Sequence, residues 1–248
     1  VVAGRLVVVA ARQTLQSSTG DGAVAAREHI THPVARAAAQ ATDAVVDHPV
    51  VAHLDHGYTF EECKEALDSG FTSLMFDGSR KPLKDNIKET LQISEIAHNS
   101  GISCEGEIGF VGYSGGEESA GTDPAEAALF AAETGVDAMA ISVGNVHLQQ
   151  DKEGGLDEPR IAAIQAATAV PLVIHGGSGV PVAQRNHLAT HTNICKFNIG
   201  TELRMAFGVA MREAVNSDPD RFDRVSILKE THDPVMAAAR IVLRNLKG

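Results

Sequence analysis

The chain is predicted to fold as an α/β protein, a TIM (β/α)8 barrel, and three observations carry that expectation. Short β-branched apolar runs alternate with amphipathic stretches. Each run stops at a polar residue beside glycine or another turn former. The length, 248 residues, is close to the ~250 of a single barrel. Alternating βα units with short links require parallel strands and right-handed crossovers, which a closed barrel and an open doubly wound sheet both satisfy. Polar groups at every strand end favour the barrel, because an open sheet gathers ligands at one switch point, whereas a barrel brings all its strand ends to one centre.

In chain order, strands are expected at residues 50–53, 73–76, 103–108, 138–143, 171–174 and 195–199. Thr59 followed by Glu62 has the form of a capping box for the helix after the first strand, and Gly70 stands where its end wants a left-handed residue. Pro82 can open the next helix, through Ala97. Asp123-Pro124 opens another that Gly135 ends, and Asp233-Pro234 is expected to open the last, towards Gly248. Before residue 50 the pattern is weaker: a seventh strand falls near residues 6–10, and the alanine-rich stretch 23–46 reads as one helix or two, broken near His32-Pro33. The whole, 1–248, reads as one domain whose first barrel strand is incomplete or unseen.

A hydrophobic content of 44% supplies a sizeable core. The net charge of −11 argues against non-specific attraction to nucleic acid or anionic membrane, so a phosphorylated ligand needs local donors. Cys63, Cys104 and Cys195 are odd in number, widely spaced and without a CxxC pair, which fits apolar filling in a reducing compartment. No apolar run approaches the ~20 residues of a membrane span, and the start shows no convincing signal-peptide cleavage pattern. The expected location is the cytoplasm.

The chemistry lies after each strand. The first run ends Asp55-His56-Gly57, the second Asp77-Gly78-Ser79 and the third Glu105-Gly106-Glu107; the remaining three carry His147, His175 and Asn198. A lone histidine at such a place is more often a satisfied core or surface residue. Three at three strand ends can meet at one metal, and three protein ligands with one open position is the pattern of catalytic zinc. Regular alternation would point Asp55 and His56 to opposite faces, so both reach one pocket only if the chain leaves strand geometry at Asp55. No lysine lies in the fourth run, and Lys196 precedes the last apolar positions of its strand, giving a Schiff base little support. The Gly176-Gly177-Ser178-Gly179 turn lets backbone amides approach an anion, and Asn198-Ile199-Gly200-Thr201 opens a helix whose first amides favour negative charge.

The motifs HLDHG, DGS, EGEIG, the GGEE loop, VGNVH, IHGGSG and KFNIGTE, in this order over residues 48–215, closely resemble the class II, zinc-dependent ketose-bisphosphate aldolases of the fructose and tagatose type. That resemblance implies that His56, His147 and His175 bind the catalytic zinc, which polarises the ketose carbonyl and stabilises an enediolate. It implies that Asp55 exchanges a proton with the hydroxyl beside the breaking bond, the other reading being a carboxylate that orients a histidine. Glu107 and Asp77 match acids that hold a second or displaced zinc, Glu107 the more strongly. Glu118, with Glu117 adjacent, matches a loop acid that moves a proton on the dihydroxyacetone phosphate carbon, in a loop at 112–121 able to close over substrate. Gly176, Ser178, Asn198 and Thr201 are assigned to one phosphate, and Ser18 in LQSSTG to the other.

Two departures stand out. Many members continue the fourth strand as a histidine followed by glycine, at a contact to a monovalent cation (Na+ or K+) and phosphate; this chain has Leu148 there, after His147. The Ala-Phe-Asn motif with which members open has no match in residues 1–50. The NIGTEL segment looks nearer to tagatose-type members than to fructose-type ones, which carry aspartate at the position of Gly200. The resemblance further implies a small phosphorylated sugar as substrate, with dihydroxyacetone phosphate and glyceraldehyde 3-phosphate as products, and a homodimer or homotetramer. Two alternatives stand beside it: another zinc lyase or hydrolase acting on a phosphorylated sugar, and a non-catalytic aldolase-like subunit.

Overall fold

The structure, a computed structural model, describes residues 51–116, 118–150 and 155–246. Ser18, the expected strand near 6–10, the 23–46 segment and Glu117 lie outside these residues.

Six parallel strands run in sequence order: β1 (His53–Gly57), β2 (Ser73–Phe76), β3 (Ser103–Ile108), β4 (Ala138–Ile141), β5 (Leu172–Ile174) and β6 (Ile194–Phe197). Between them lie α1 (Phe60–Asp68), α2 (Leu83–Asn99), α3 (Pro124–Thr134), α4 (Glu158–Ala167) and α5 (Val182–His191), followed after β6 by α6 (Thr201–Ser217) and α7 (Arg224–Asn245). The expected caps form. Thr59 Oγ accepts from the Glu62 amide, Glu62 accepts from the Tyr58 amide, and Asp123 accepts from Ala125 and Glu126. Gly70 and Gly135 take the left-handed conformation at φ +84° and +65°.

Each strand has two faces. Outward residues such as Leu74, Phe76, Cys104, Met139, Ile141, Leu172 and Ile174 join the helices in the main core. Gly106 also points outward, where a Cβ would meet the Phe130 ring at 2.8 Å. Inward, Met75, Ala140 and Val173 form a smaller cluster. Its small residues leave room for buried polar side chains of the same layer. Although β1 and β6 stand at opposite ends of the strand order, Lys196 Nζ lies 3.1 Å from His53 Nε2 and Asn198 Nδ2 3.0 Å from Asp55 Oδ1. A sheet brings its two ends this close only by curling, so the six strands make an open stave of a TIM-type barrel.

Two elements differ from the sequence-based reading by more than two residues at an end. The first strand lies at His53–Gly57 rather than at 50–53, because the ladder with β2 begins at the polar His53, opposite Ser73, and runs to Gly57, opposite Phe76. The last helix begins at Arg224, not at Asp233-Pro234. Asp223 caps it by accepting from Val225 and Ser226, and the helix continues through Pro234 despite the missing amide. Cys63 and Cys104 are buried as expected, whereas Cys195 is only half-buried. No helix among the described residues is long and apolar enough to cross a membrane.

Candidate metal centre and active site

Three strand ends bring His56, His147 and His175 together. β1 pairs Leu54 with Leu74 and next Gly57 with Phe76, so it carries one extra residue there, and His56 sits in the left-handed region at φ +57°. This departure from strand geometry is what lets neighbours share one pocket, with Asp55 Oδ1 3.9 Å from His56 Nε2. His175, fully buried, follows β5. His147 lies on the loop after β4, its amide donating to the Gly112 carbonyl at 2.8 Å and its ring stacked on Tyr113. The ring centroids are 4.6 Å (His56–His175), 5.3 Å (His56–His147) and 5.7 Å (His147–His175) apart. One ligand atom from each lies within 4.8 Å of the others, a spacing that can hold a metal ion.

The hydrogen bonds assign the nitrogens. His56 Nδ1 is 2.7 Å from Asp77 Oδ2, and His175 Nε2 is 3.0 Å from Glu105 Oε1. Carboxylates accept, so both ring atoms donate, leaving His56 Nε2 and His175 Nδ1 facing each other at 2.9 Å. That contact requires one proton between the two nitrogens. Burial works against a charge on His56, but its bond to Asp77 and the nearby Glu107 and Asp55 carboxylates outweigh it and hold His56 up at about 9. Burial and the adjacent His56 keep His175 well below the usual histidine range. A site that concentrates one positive charge between two imidazoles, each backed by a carboxylate, fits a cation that replaces the proton.

Asp77 and Glu107 form a second possible group with the other side of His56. Asp77 resists the upward pull of burial and is held at about 2, mainly by its bond to His56 with help from Ser79. Glu107 is pushed up to about 8 by complete burial and then by Asp77, and its Oε2, 3.7 Å from His56 Nδ1, has no hydrogen-bond partner. An orphaned buried carboxylate oxygen beside an acid and an imidazole is a place for a cation.

The turn after His175 runs through Gly176 at φ +64°, where a Cβ would strike the Val146 carbonyl carbon at 2.6 Å, into a 3-10 turn at Gly177–Gly179. Ser178 Oγ accepts from the Glu202 amide in the first turn of α6, and Thr201 opens that helix. Asn198 joins this turn through its carbonyl, which accepts from the Gly177 amide at 3.0 Å, while its side-chain amide donates to Asp55 and lies 3.3 Å from His175 Nε2. Glu118 is exposed, and among the described residues no hydrogen bond joins it to the three histidines. Leu148 is half-exposed at φ +59°, a left-handed backbone conformation that favours glycine.

Sequence reasoning did not single out Glu105, Lys196 and His53. Glu105 bridges His175 to Lys196, whose Nζ is 2.5 Å from Glu105 Oε2, and Lys196 in turn donates to His53. With one proton for two occupied nitrogens, His53 donates from Nδ1 to Ser73 and stays neutral, lowered to about 3 by burial and then by Lys196. Glu105 was within reach of the period-2 rule, being two residues from Glu107. Asn145 was hidden in VGNVH: fully engaged, it accepts from Val143 and donates to the Ile141 and His175 carbonyls, tying two strand ends together.

A family profile described as fructose-bisphosphate aldolase class II matches residues 9–247. The chain belongs to the class II fructose-bisphosphate aldolase family. Among class II relatives, it is 39% identical over 193 residues to the fructose-bisphosphate aldolase of Geobacillus stearothermophilus, a match covering 76% of this chain and 67% of that one. It is 39% identical over 179 residues to that of Staphylococcus epidermidis, covering 71% and 62%. The chain thus spans about two thirds of the length of these aldolases. The crystal structure of the YdjI aldolase from Escherichia coli K12 superposes with a TM-score of 0.72 at 30% identity, over 86% of this chain and 74% of that one.

Proposed function

We propose that this chain is a single TIM-barrel domain catalysing the reversible aldol cleavage of a ketose 1,6-bisphosphate, of fructose or tagatose type, to dihydroxyacetone phosphate and glyceraldehyde 3-phosphate. The observation that carries the reading is the facing pair His56 Nε2 and His175 Nδ1, each imidazole backed by its own carboxylate, with His147 within ligand distance. In this reading His56, His147 and His175 hold zinc, and Asp77 and Glu107 hold a second or displaced ion. Bound there, zinc would polarise the ketose carbonyl and offset the charge that develops as the carbon–carbon bond breaks.

The chain's own residues do the rest. Asp55, held by the Asn198 amide at 3.0 Å, takes the proton of the hydroxyl beside the breaking bond and returns it in the condensation direction. Asn198 therefore orients Asp55 as well as lining the site. Gly176, Ser178 and Thr201 hold one phosphate on backbone amides and hydroxyls, which a chain of net charge −11 needs as local donors. Glu118 reaches the dihydroxyacetone phosphate carbon when its glycine-rich loop closes. Lys196 has its ammonium committed to Glu105 and His53, which supports a metal-assisted route over an imine. The unpaired thiols suit a cytoplasmic homo-oligomer of the family kind. A coupled assay on fructose and tagatose 1,6-bisphosphates, before and after chelation and zinc restoration, tests the reading. Chelator-sensitive cleavage of either is expected; no cleavage of either at any zinc level would overturn it.

A further inference from the structure

Arg185 is the largest fully buried side chain among the described residues. It lies on α5, outside the metal centre, behind the turn at Gly177–Gly179. Its Nη1 donates to Glu202 Oε1 at 2.5 Å and to the Gly177 carbonyl at 3.3 Å, while Nε and Nη2 have no hydrogen-bond partner. A fully buried guanidinium with unsatisfied donors is a costly feature, so the two groups it does hold are informative.

Those two groups belong to the two halves of the anion cradle. Gly177 begins the glycine turn, and Glu202 lies in the first turn of α6 with its amide on Ser178 Oγ. A carboxylate in the first turn of a helix is itself drawn to the positive end of the dipole, so it competes with any anion bound there and repels it. Arg185 places a full positive charge on that carboxylate.

We propose that Arg185 is a positioning residue for anion recognition: it neutralises Glu202 and fixes the Gly177 carbonyl, so that the turn and the α6 N-terminus present their donors to one phosphate group. The inference rests on the reading of this cradle as the phosphate site. Its electrostatic half separates it from ordinary packing. Removing Arg185 takes away one positive charge while the Glu202 carboxylate stays beside the anion, whereas removing both charges restores the balance.

Inorganic phosphate titrated calorimetrically into the full, metal-loaded chain is the test. Arg185→Met should weaken phosphate binding about tenfold, as for loss of a charge-assisted contact. The double variant Arg185→Met/Glu202→Gln should recover most of that loss. In turnover, Arg185→Met should raise KM more than it lowers kcat. Unchanged phosphate affinity in Arg185→Met overturns the inference, and so does a double variant as weak as the single one. If wild-type protein binds no phosphate, the cradle reading fails and this inference with it; unchanged affinity in the variant alone leaves the cradle reading standing. Should Arg185→Met not fold, Glu202→Gln decides: binding at least as tight as wild type is expected, and weaker binding overturns the inference.

Discussion

Replacing Glu105 by glutamine should cost metal affinity through a single proton on His175. Glu105 is buried, 2.5 Å from Lys196 Nζ and 3.0 Å from His175 Nε2, and accepts from both. Glutamine is isosteric but carries one acceptor and one donor end. An ammonium only donates, so the amide oxygen must face Lys196, and the NH2 then faces His175 Nε2. That nitrogen must become an acceptor, which moves the ring proton to Nδ1, the atom facing His56. The nitrogen that would take the proposed metal is then blocked unless the amide flips against Lys196. Losses of about 10- to 100-fold accompany removal of such supporting carboxylates, equal to about 1.4–2.8 kcal/mol. Competition with a fluorescent zinc chelator reads the affinity directly. The double variant Glu105→Gln/Lys196→Met releases the amide to turn its oxygen to His175 and should regain much of the loss. A folded Glu105→Gln protein within roughly threefold of wild type would refute the reasoning, as would a double variant no better than the single.

Further outcomes follow from other residues. Asp55→Ala should lower cleavage by at least about 100-fold while zinc content stays at the wild-type level; loss of zinc together with activity would make Asp55 an orienting carboxylate instead. His53, lowered to about 3 from 6.5, is neutral in the fold but takes up a proton on unfolding below 6.5. Its contribution to stability is complete above 6.5 and is lost as pH falls towards 3, so the urea midpoint should drop across that window, and His53→Gln should flatten the drop. Leu148→Gly relieves a left-handed backbone at φ +59° on a half-exposed residue, and after the entropy of glycine should stabilise by about 0.5–1 kcal/mol in urea unfolding. Pro234→Ala restores a donor within α7 and should raise stability by about 1–3 kcal/mol in urea unfolding.

Much of the fold was legible because its rules are local. Short runs of four and six residues bounded by turn formers located β2 and β3 to the residue, and Thr59, Asp123 and Gly135 marked helix ends through side-chain and backbone chemistry that needs no distant partner. Errors came where a distant contact decides. β1 is polar, so hydrophobic pattern placed it too early; it is a strand because β2 pairs with His53, Leu54 and Gly57, with Asp55 and His56 carried in the bulge between them. Pro234 looks like a helix start, but Asp223 caps first and packing along α6 carries α7 through the proline.

The candidate site divides along the same line. Sequence by itself determined the chemical identities and their order: three histidines, an adjacent aspartate and a glycine turn, each at a strand end, because strand ends and turns are written in short-range spacing. Only the tertiary structure decided which nitrogens of His56 and His175 face each other. It brought Glu105, Lys196 and His53 from three strands into one buried chain, turned Asn198 onto Asp55, and set Arg185 behind the glycine turn. The physical reason is that tautomer, charge and partner depend on the atoms opposite, and in a curled parallel sheet those atoms belong to residues as much as 143 positions away.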